Sequence, residues 1–206
     1  MTGIIPILER SPVIPVAVIG AGVSACDLAR ALLDGGISII EITLRTPQGL
    51  SAIGDIRREV SGICVGAGTV WTAQEALQVM NAGAEIVVSP GRSDEVFKVC
   101  RMRGVPYLPG VQTVSEAAHW SQHGLQAVKF FPAGIAGGVA ALKAFSSVLP
   151  ELQFCPTGGI SAATAPDYLA LPSVPCVGGS WLLDQKAIAA GDWHRITELA
   201  AEAAQL

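Results

Sequence analysis

Short apolar runs recur along this chain about every 20 to 26 residues, each followed by a turn and then by a stretch whose apolar positions return every three to four residues. The runs begin near Val13, Ser38, Ile63, Glu85, Pro106, Ala127, Gln153 and Pro175, and the helical stretches cover approximately 23–34, 49–60, 73–82, 93–103, 114–123, 138–148, 162–169 and 185–204. Gly35 and Gly36 stop the first of these helices. Strand alternating with helix at the length of one βα unit calls for a parallel sheet, and eight such units in 206 residues predict an α/β chain closed into a (β/α)8 TIM barrel. A single domain over 1–206 is expected, with residues 1–12 as a short N-terminal segment whose 4–10 portion suits a capping helix. In such barrels chemistry gathers at the C-terminal ends of the strands, so polar residues there are the first candidates for function.

The stretch Ala127-Val128-Lys129-Phe130-Phe131-Pro132 sets one lysine in an apolar run with no charged neighbour. Side chains alternate along a strand, so Lys129 shares a face with Phe131 and opposes Val128 and Phe130. Desolvating an ammonium is costly unless it is paired or sheds its proton, and an unprotonated amine is a nucleophile toward ketones. On this stretch alone, a lysine at a strand end reaching back to water fits equally well. In the second run, Ile40 to Arg45, apolar and polar residues alternate strictly, so Glu41, Thr43 and Arg45 are expected to point together into the barrel. Later strand ends carry glycine beside polar residues: Gly68-Thr69, Ser89-Pro90-Gly91, Thr157-Gly158-Gly159 and Gly178-Gly179-Ser180. The glycine pairs in the last two loops suit backbone N–H groups that hold phosphate, which implies a substrate anionic at one end.

Composition removes several function classes. Hydrophobic residues make up 50% and charged residues 15%, which excludes general disorder. With 13 basic and 17 acidic residues, a net charge of −4 and no Lys/Arg cluster, no nucleic-acid partner is expected. No apolar run approaches the roughly 18 residues of a membrane span, so no membrane partner is expected either. Five widely spaced cysteines without a Cys-x-x-Cys pair read as buried thiols in a reducing, cytoplasmic compartment. Val23-Ser24-Ala25-Cys26 resembles a lipoprotein cleavage site, but the leader would hold Glu9 beside Arg10 and then Pro12 and Pro15, which argues against export. His119 and His123 share a helix face outside the barrel and read as solvated surface histidines, so neither a metal nor a cofactor is expected.

Two other readings compete. Gly20-Ala21-Gly22-Val23-Ser24-Ala25 matches the Gly-x-Gly-x-x-Ala turn of an NAD-dependent oxidoreductase, with Glu41 at the distance of a ribose-binding acid. The unbroken alternation after Glu41 speaks against it, and it leaves Lys129 and the late glycine pairs unused. A non-catalytic barrel would leave Glu41, Arg45 and Lys129 as an internal ion-pair network.

Taken in order, Glu41-Ile42-Thr43-Leu44-Arg45-Thr46, Val65-Gly66-Ala67-Gly68-Thr69-Val70, Ser89-Pro90-Gly91, Lys129-Phe130-Phe131-Pro132-Ala133, Cys155-Pro156-Thr157-Gly158-Gly159-Ile160 and Gly178-Gly179-Ser180-Trp181 resemble the signatures of the bacterial 2-keto-3-deoxy-6-phosphogluconate and 4-hydroxy-2-oxoglutarate aldolases. The resemblance runs from about Val13 to the final helix. It implies a metal-free class I aldolase on a (β/α)8 barrel, usually a homotrimer, with a phosphorylated keto acid as substrate. Lys129 is then the Schiff-base lysine and Glu41 the proton shuttle. The site chemistry that follows gives Arg45 and Thr69 to the substrate carboxylate, and Phe131, Pro90 and Thr157 to the pocket around the imine. Gly158, Gly159, Gly179 and Ser180 are left as the phosphate cradle.

Overall fold

A computed structural model describes residues 3–206 of the chain, so the first two residues of the expected segment 1–12 lie outside the described residues. The apolar runs form parallel strands: β1 (Val13–Ala17), β2 (Ile39–Thr43), β3 (Cys64–Gly68), β4 (Ile86–Val88), β5 (Tyr107–Leu108), β6 (Gly110–Val111), β7 (Ala127–Phe130), β8 (Gln153–Pro156) and β9 (Val177–Gly179). A six-stranded sheet runs β5-β4-β3-β2-β1-β9 and a three-stranded sheet runs β6-β7-β8. The fifth expected run is divided between them because Pro109, which has no N–H to donate, separates β5 from β6. Its carbonyl still accepts from Lys129 N at 2.8 Å. A parallel bridge between Thr157 and Gly178 joins β8 to β9, so the sheets curl toward each other.

Alternation along these strands divides the core in two. Ile14, Ile39, Ile86, Leu108, Cys155 and Cys176 form an inner apolar layer, and α1 (Ile5–Leu8) packs Ile7 and Leu8 against it. Their neighbours, among them Val13, Ile40, Val87, Val128 and Phe154, join a larger cluster with the surrounding helices. Both strand faces are therefore covered, which is why the runs read as nearly continuous apolar sequence.

The helices are α2 (Ala25–Asp34), α3 (Gln48–Glu59), α4 (Ala73–Asn81), α5 (Asp94–Arg103), α6 (Val114–Gln122), α7 (Gly138–Val148) and α8 (Ala165–Leu169). Capping boxes at Thr72/Glu75 and Thr113/Glu116 start α4 and α6. The start of α8 falls later than the expected residue 162, because residues 161–164 form a turn in which Ala165 N donates to Ser161 O at 2.9 Å. The single helix expected over 185–204 is two, α9 (Gln185–Ala190) and α10 (Trp193–Ala203). Gly191 stops the first in the left-handed region (φ 68°), and the Asp192 side chain caps the second by accepting from Arg195 N at 3.1 Å. That redirection lets α10 lie on α2, where Thr197 Oγ1 donates to Ala31 O at 3.1 Å.

His119 departs from the expected solvated surface. It is half-buried, its ring centroid lies 4.8 Å from that of the buried Trp120, and its Nε2 is 3.4 Å from Asp94 Oδ1, close enough for attraction but not aligned as a hydrogen bond. Phe97 of α5 and Tyr107 of β5 complete the aromatic packing around Trp120 and draw this side of α6 inward. His123 is exposed, as expected.

Candidate active site

Lys129 leaves β7 toward the inner face while Val128 and Phe130 are buried on the helix side. Its Nζ donates to both carboxylate oxygens of Glu41, at 2.9 and 3.0 Å, and the two residues are only 4% and 5% exposed. Burying two charges is unfavourable by itself, and the two-pronged contact offsets that cost. Glu41 stands on β2 opposite Val16 of β1 and Gly66 of β3. Room for its side chain comes from Gly68, since a Cβ there would lie 2.7 Å from Glu41 Cγ and 2.8 Å from Cδ. The Phe131 ring covers the ammonium at 5.6 Å from its centroid.

Beside the pair, the inner apolar layer carries two thiols. Cys155, opposite Lys129 in the ladder, accepts from the Cys176 thiol at 3.7 Å and has the Thr157 hydroxyl at 3.9 Å. The Cys176 hydrogen bond, helped by the Lys129 charge, holds the Cys155 thiol below its usual range, while donating that bond and burial push Cys176 up.

Phe131, whose ring covers the ammonium, also lines a cleft of about 450 Å³, which the buried Lys129 and Glu41 adjoin without lining it themselves. Phe131 and Thr157 line it near the lysine, and Gly158, Gly159, Gly179 and Ser180 line it from the loops after β8 and β9. Gly158 and Gly159 have φ of 93° and 76°, a conformation that brings their backbone into the cleft and that a side chain would strain. Gly158 also sits under the Phe131 ring, which a Cβ would approach to 3.1 Å.

Arg45 corrects the alternation drawn from sequence. β2 ends at Thr43, the last residue with a ladder partner, and the chain then turns, so Arg45 is exposed at the cleft wall instead of pointing inward beside Glu41. Thr43 is buried and its hydroxyl donates to Ala17 O at 3.0 Å, which ties β2 to β1. Thr69 and Pro90 do not line the cleft. Thr69 follows Gly68 with a left-handed φ of 62°, and Pro90 packs its backbone against Gly110, the ladder partner of Lys129.

The cleft also contains Gly178, of the second expected glycine pair, and residues to which sequence reasoning gave no role: Val16, Val18, Ile160 and Gln185. Val16 and Val18 were accessible in principle, since they continue the inward period of Ile14 along β1; Gln185 carries no sequence signal. The Gly20–Ala25 turn leads into α2 through the Ser24 cap, which accepts from Asp27 N at 3.2 Å. Glu41 is bonded to Lys129 on the inner face, so it is unavailable as the ribose acid of a dinucleotide fold.

An amine that can exchange a proton with a carboxylate 2.9 Å away, in a pocket shielded from water, is equipped to form an imine with a ketone. That is the chemistry of the class I aldolases. The model of the "KDPG and KHG aldolase" family matches residues 4–199. The KHG/KDPG aldolase of Escherichia coli K12 is 46% identical over 199 residues, 97% of this chain and 93% of the relative. The 2-dehydro-3-deoxy-phosphogluconate aldolase of Dickeya dadantii is 46% identical over 96% of this chain and 92% of its own. A crystal structure of KDPG aldolase from Legionella pneumophila, with pyruvate captured as a covalent carbinolamine intermediate, matches with a TM-score of 0.95 and 42% identity over 98% of each chain. This chain belongs to the KDPG and KHG aldolase family, and it is a carbon–carbon lyase.

Proposed function

We propose that the protein cleaves 2-keto-3-deoxy-6-phosphogluconate to pyruvate and glyceraldehyde 3-phosphate through an imine on Lys129, and 4-hydroxy-2-oxoglutarate to pyruvate and glyoxylate by the same steps. The buried Lys129–Glu41 pair carries this reading. Glu41 takes a proton from Nζ, and the free amine attacks the C2 ketone. The carboxyl then returns a proton as the carbinolamine loses water, leaving a protonated imine. Glu41 next accepts the C4 hydroxyl proton, directly or through water. The C3–C4 bond breaks, its electrons move into the imine to form an enamine, and the aldehyde departs. Protonation of the enamine at C3 and hydrolysis release pyruvate and restore the amine.

Arg45 is assigned to the substrate carboxylate with Thr69 as helper, and the guanidinium is paired with no carboxylate among the described residues. Phe131 packs on the pyruvyl part, Pro90 shapes the wall behind it and Thr157 meets a substrate hydroxyl. The phosphate falls to Gly158, Gly159, Gly179 and Ser180. Bridge Thr157–Gly178 and the continuity of β5 with β6 across Pro109 support one closed (β/α)8 barrel and one domain. Exposed Ile135 and Val148 and the family resemblance support a homotrimer, and five buried free cysteines support a cytoplasmic enzyme of the Entner–Doudoroff route.

Borohydride reduction with pyruvate, followed by peptide mass analysis, tests the central step. A single pyruvyl adduct on Lys129 is expected. Folded protein that forms no adduct in excess pyruvate removes the imine mechanism.

A further inference from the structure

Among the described residues, the far end of the cleft has no cation of its own. Arg45 is the only charged side chain among the described residues that lines the cleft, and the reading above, on which this inference rests, commits it to the carboxylate beside the imine. The remaining side-chain hydrogen-bonding groups toward the rim are the Ser180 hydroxyl and the Gln185 carboxamide. Gln185 is held in place although exposed. Its Nε2 donates to Leu183 O at 3.0 Å, and Leu183 N donates to Ser180 O at 3.0 Å, so two consecutive bonds fix the amide relative to Ser180. Among the described residues, one amide N–H and Oε1 have no partner. The adjacent anion, Asp184, does not line the cleft: its Oδ1 accepts from Lys186 N at 2.8 Å and Ala187 N at 3.1 Å. The loop thus presents a fixed neutral donor and directs its one negative charge elsewhere.

We propose that Gln185 is a specificity-determining residue for the phosphorylated end of the substrate, where its free amide N–H donates to a phosphate oxygen alongside Ser180. A neutral donor of this kind favours a ligand long enough to reach from Lys129, past Phe131, to the rim of the cleft. Hydroxyoxoglutarate, whose second carboxylate lies only two carbons beyond the bond that breaks, ends short of it.

The test compares Gln185→Ala and Gln185→Glu with the unaltered protein, using kcat and KM for both keto acids and borohydride trapping of pyruvate. Gln185→Ala is expected to raise KM for the phosphorylated substrate about tenfold, the loss of roughly one charge-assisted hydrogen bond. Gln185→Glu, nearly the same shape but anionic, should raise it further by like-charge repulsion. The KM for hydroxyoxoglutarate and the rate of pyruvate trapping should move much less. The proposal is overturned if both substrates lose affinity together, if neither does, or if Gln185→Glu binds the phosphorylated substrate as well as the unaltered protein. Failure of the unaltered protein to trap pyruvate is a separate outcome that removes the aldolase reading itself.

Discussion

Gly68→Ala adds one carbon and no functional group, yet it should disable the site. The new Cβ would stand 2.7 Å from Glu41 Cγ and 2.8 Å from Cδ, whereas ordinary carbon contacts begin at about 3.5 Å. The strand cannot easily give way, because Thr43 pairs with Gly68 in the ladder and Leu44 N donates to Gly68 O at 2.9 Å. Glu41 therefore retreats by roughly 0.7–1 Å, enough to carry a 2.9 Å contact with Lys129 past the limit of a hydrogen bond. Partial loss of a buried ion pair plus overpacking costs about 2–4 kcal/mol of stability. A proton-transfer group displaced by about 1 Å lowers kcat by about a hundredfold. Urea unfolding measures the first quantity and an NADH-coupled assay of pyruvate release the second. In a Glu41→Ala background the added methyl has space, so there Gly68→Ala should cost less than about 0.5 kcal/mol. Equal cost in both backgrounds, or undiminished activity of Gly68→Ala, would refute the reasoning.

Lys129→Ala should abolish both pyruvate trapping and turnover, and it should lower stability by about 3–5 kcal/mol because Glu41 is left buried without its partner. Glu41→Gln preserves shape but not proton transfer, so a fall in kcat of about 10²–10⁴ is expected, with slow adduct formation persisting in single-turnover trapping. Thr113→Ala removes the hydroxyl that accepts from Glu116 N at 3.3 Å and should cost about 1 kcal/mol in unfolding experiments, without changing kcat. The same cap responds to acid. Partial burial would raise the Glu116 carboxyl, but N–H donation from Gln112 and Thr113 outweighs it and holds the group below the usual glutamate range. Its contribution is present above the ordinary glutamate value and disappears as pH falls through the lowered folded value, so acid unfolding should show the loss. Burial pushes the Cys64 and Cys100 thiols up to about 12, so a disulfide reagent should label them only after unfolding; rapid labelling of either in the native protein contradicts that burial.

Hydrophobic period and turn residues are local properties of the chain, so the succession of strands and helices was legible without the fold. The sequence also marked Lys129 and Glu41, since a charged residue inside an apolar strand conspicuously needs a partner. That these two, 88 residues apart, meet in one buried contact was not legible there, because their distance depends on how the sheets curl. The direction of Arg45 was equally non-local: alternation persists only as far as the ladder, and β2 ends where its pairing with β3 ends. The break between α9 and α10 could have been suspected from Gly191-Asp192, but it is their packing partners, α2 above all, that give the redirected helix its place. Gln185 joins the cleft through a turn that folds back on Ser180, and Cys155 meets Cys176 because adjacent strands bring them side by side. Such contacts depend on chain closure and register, which no single segment contains.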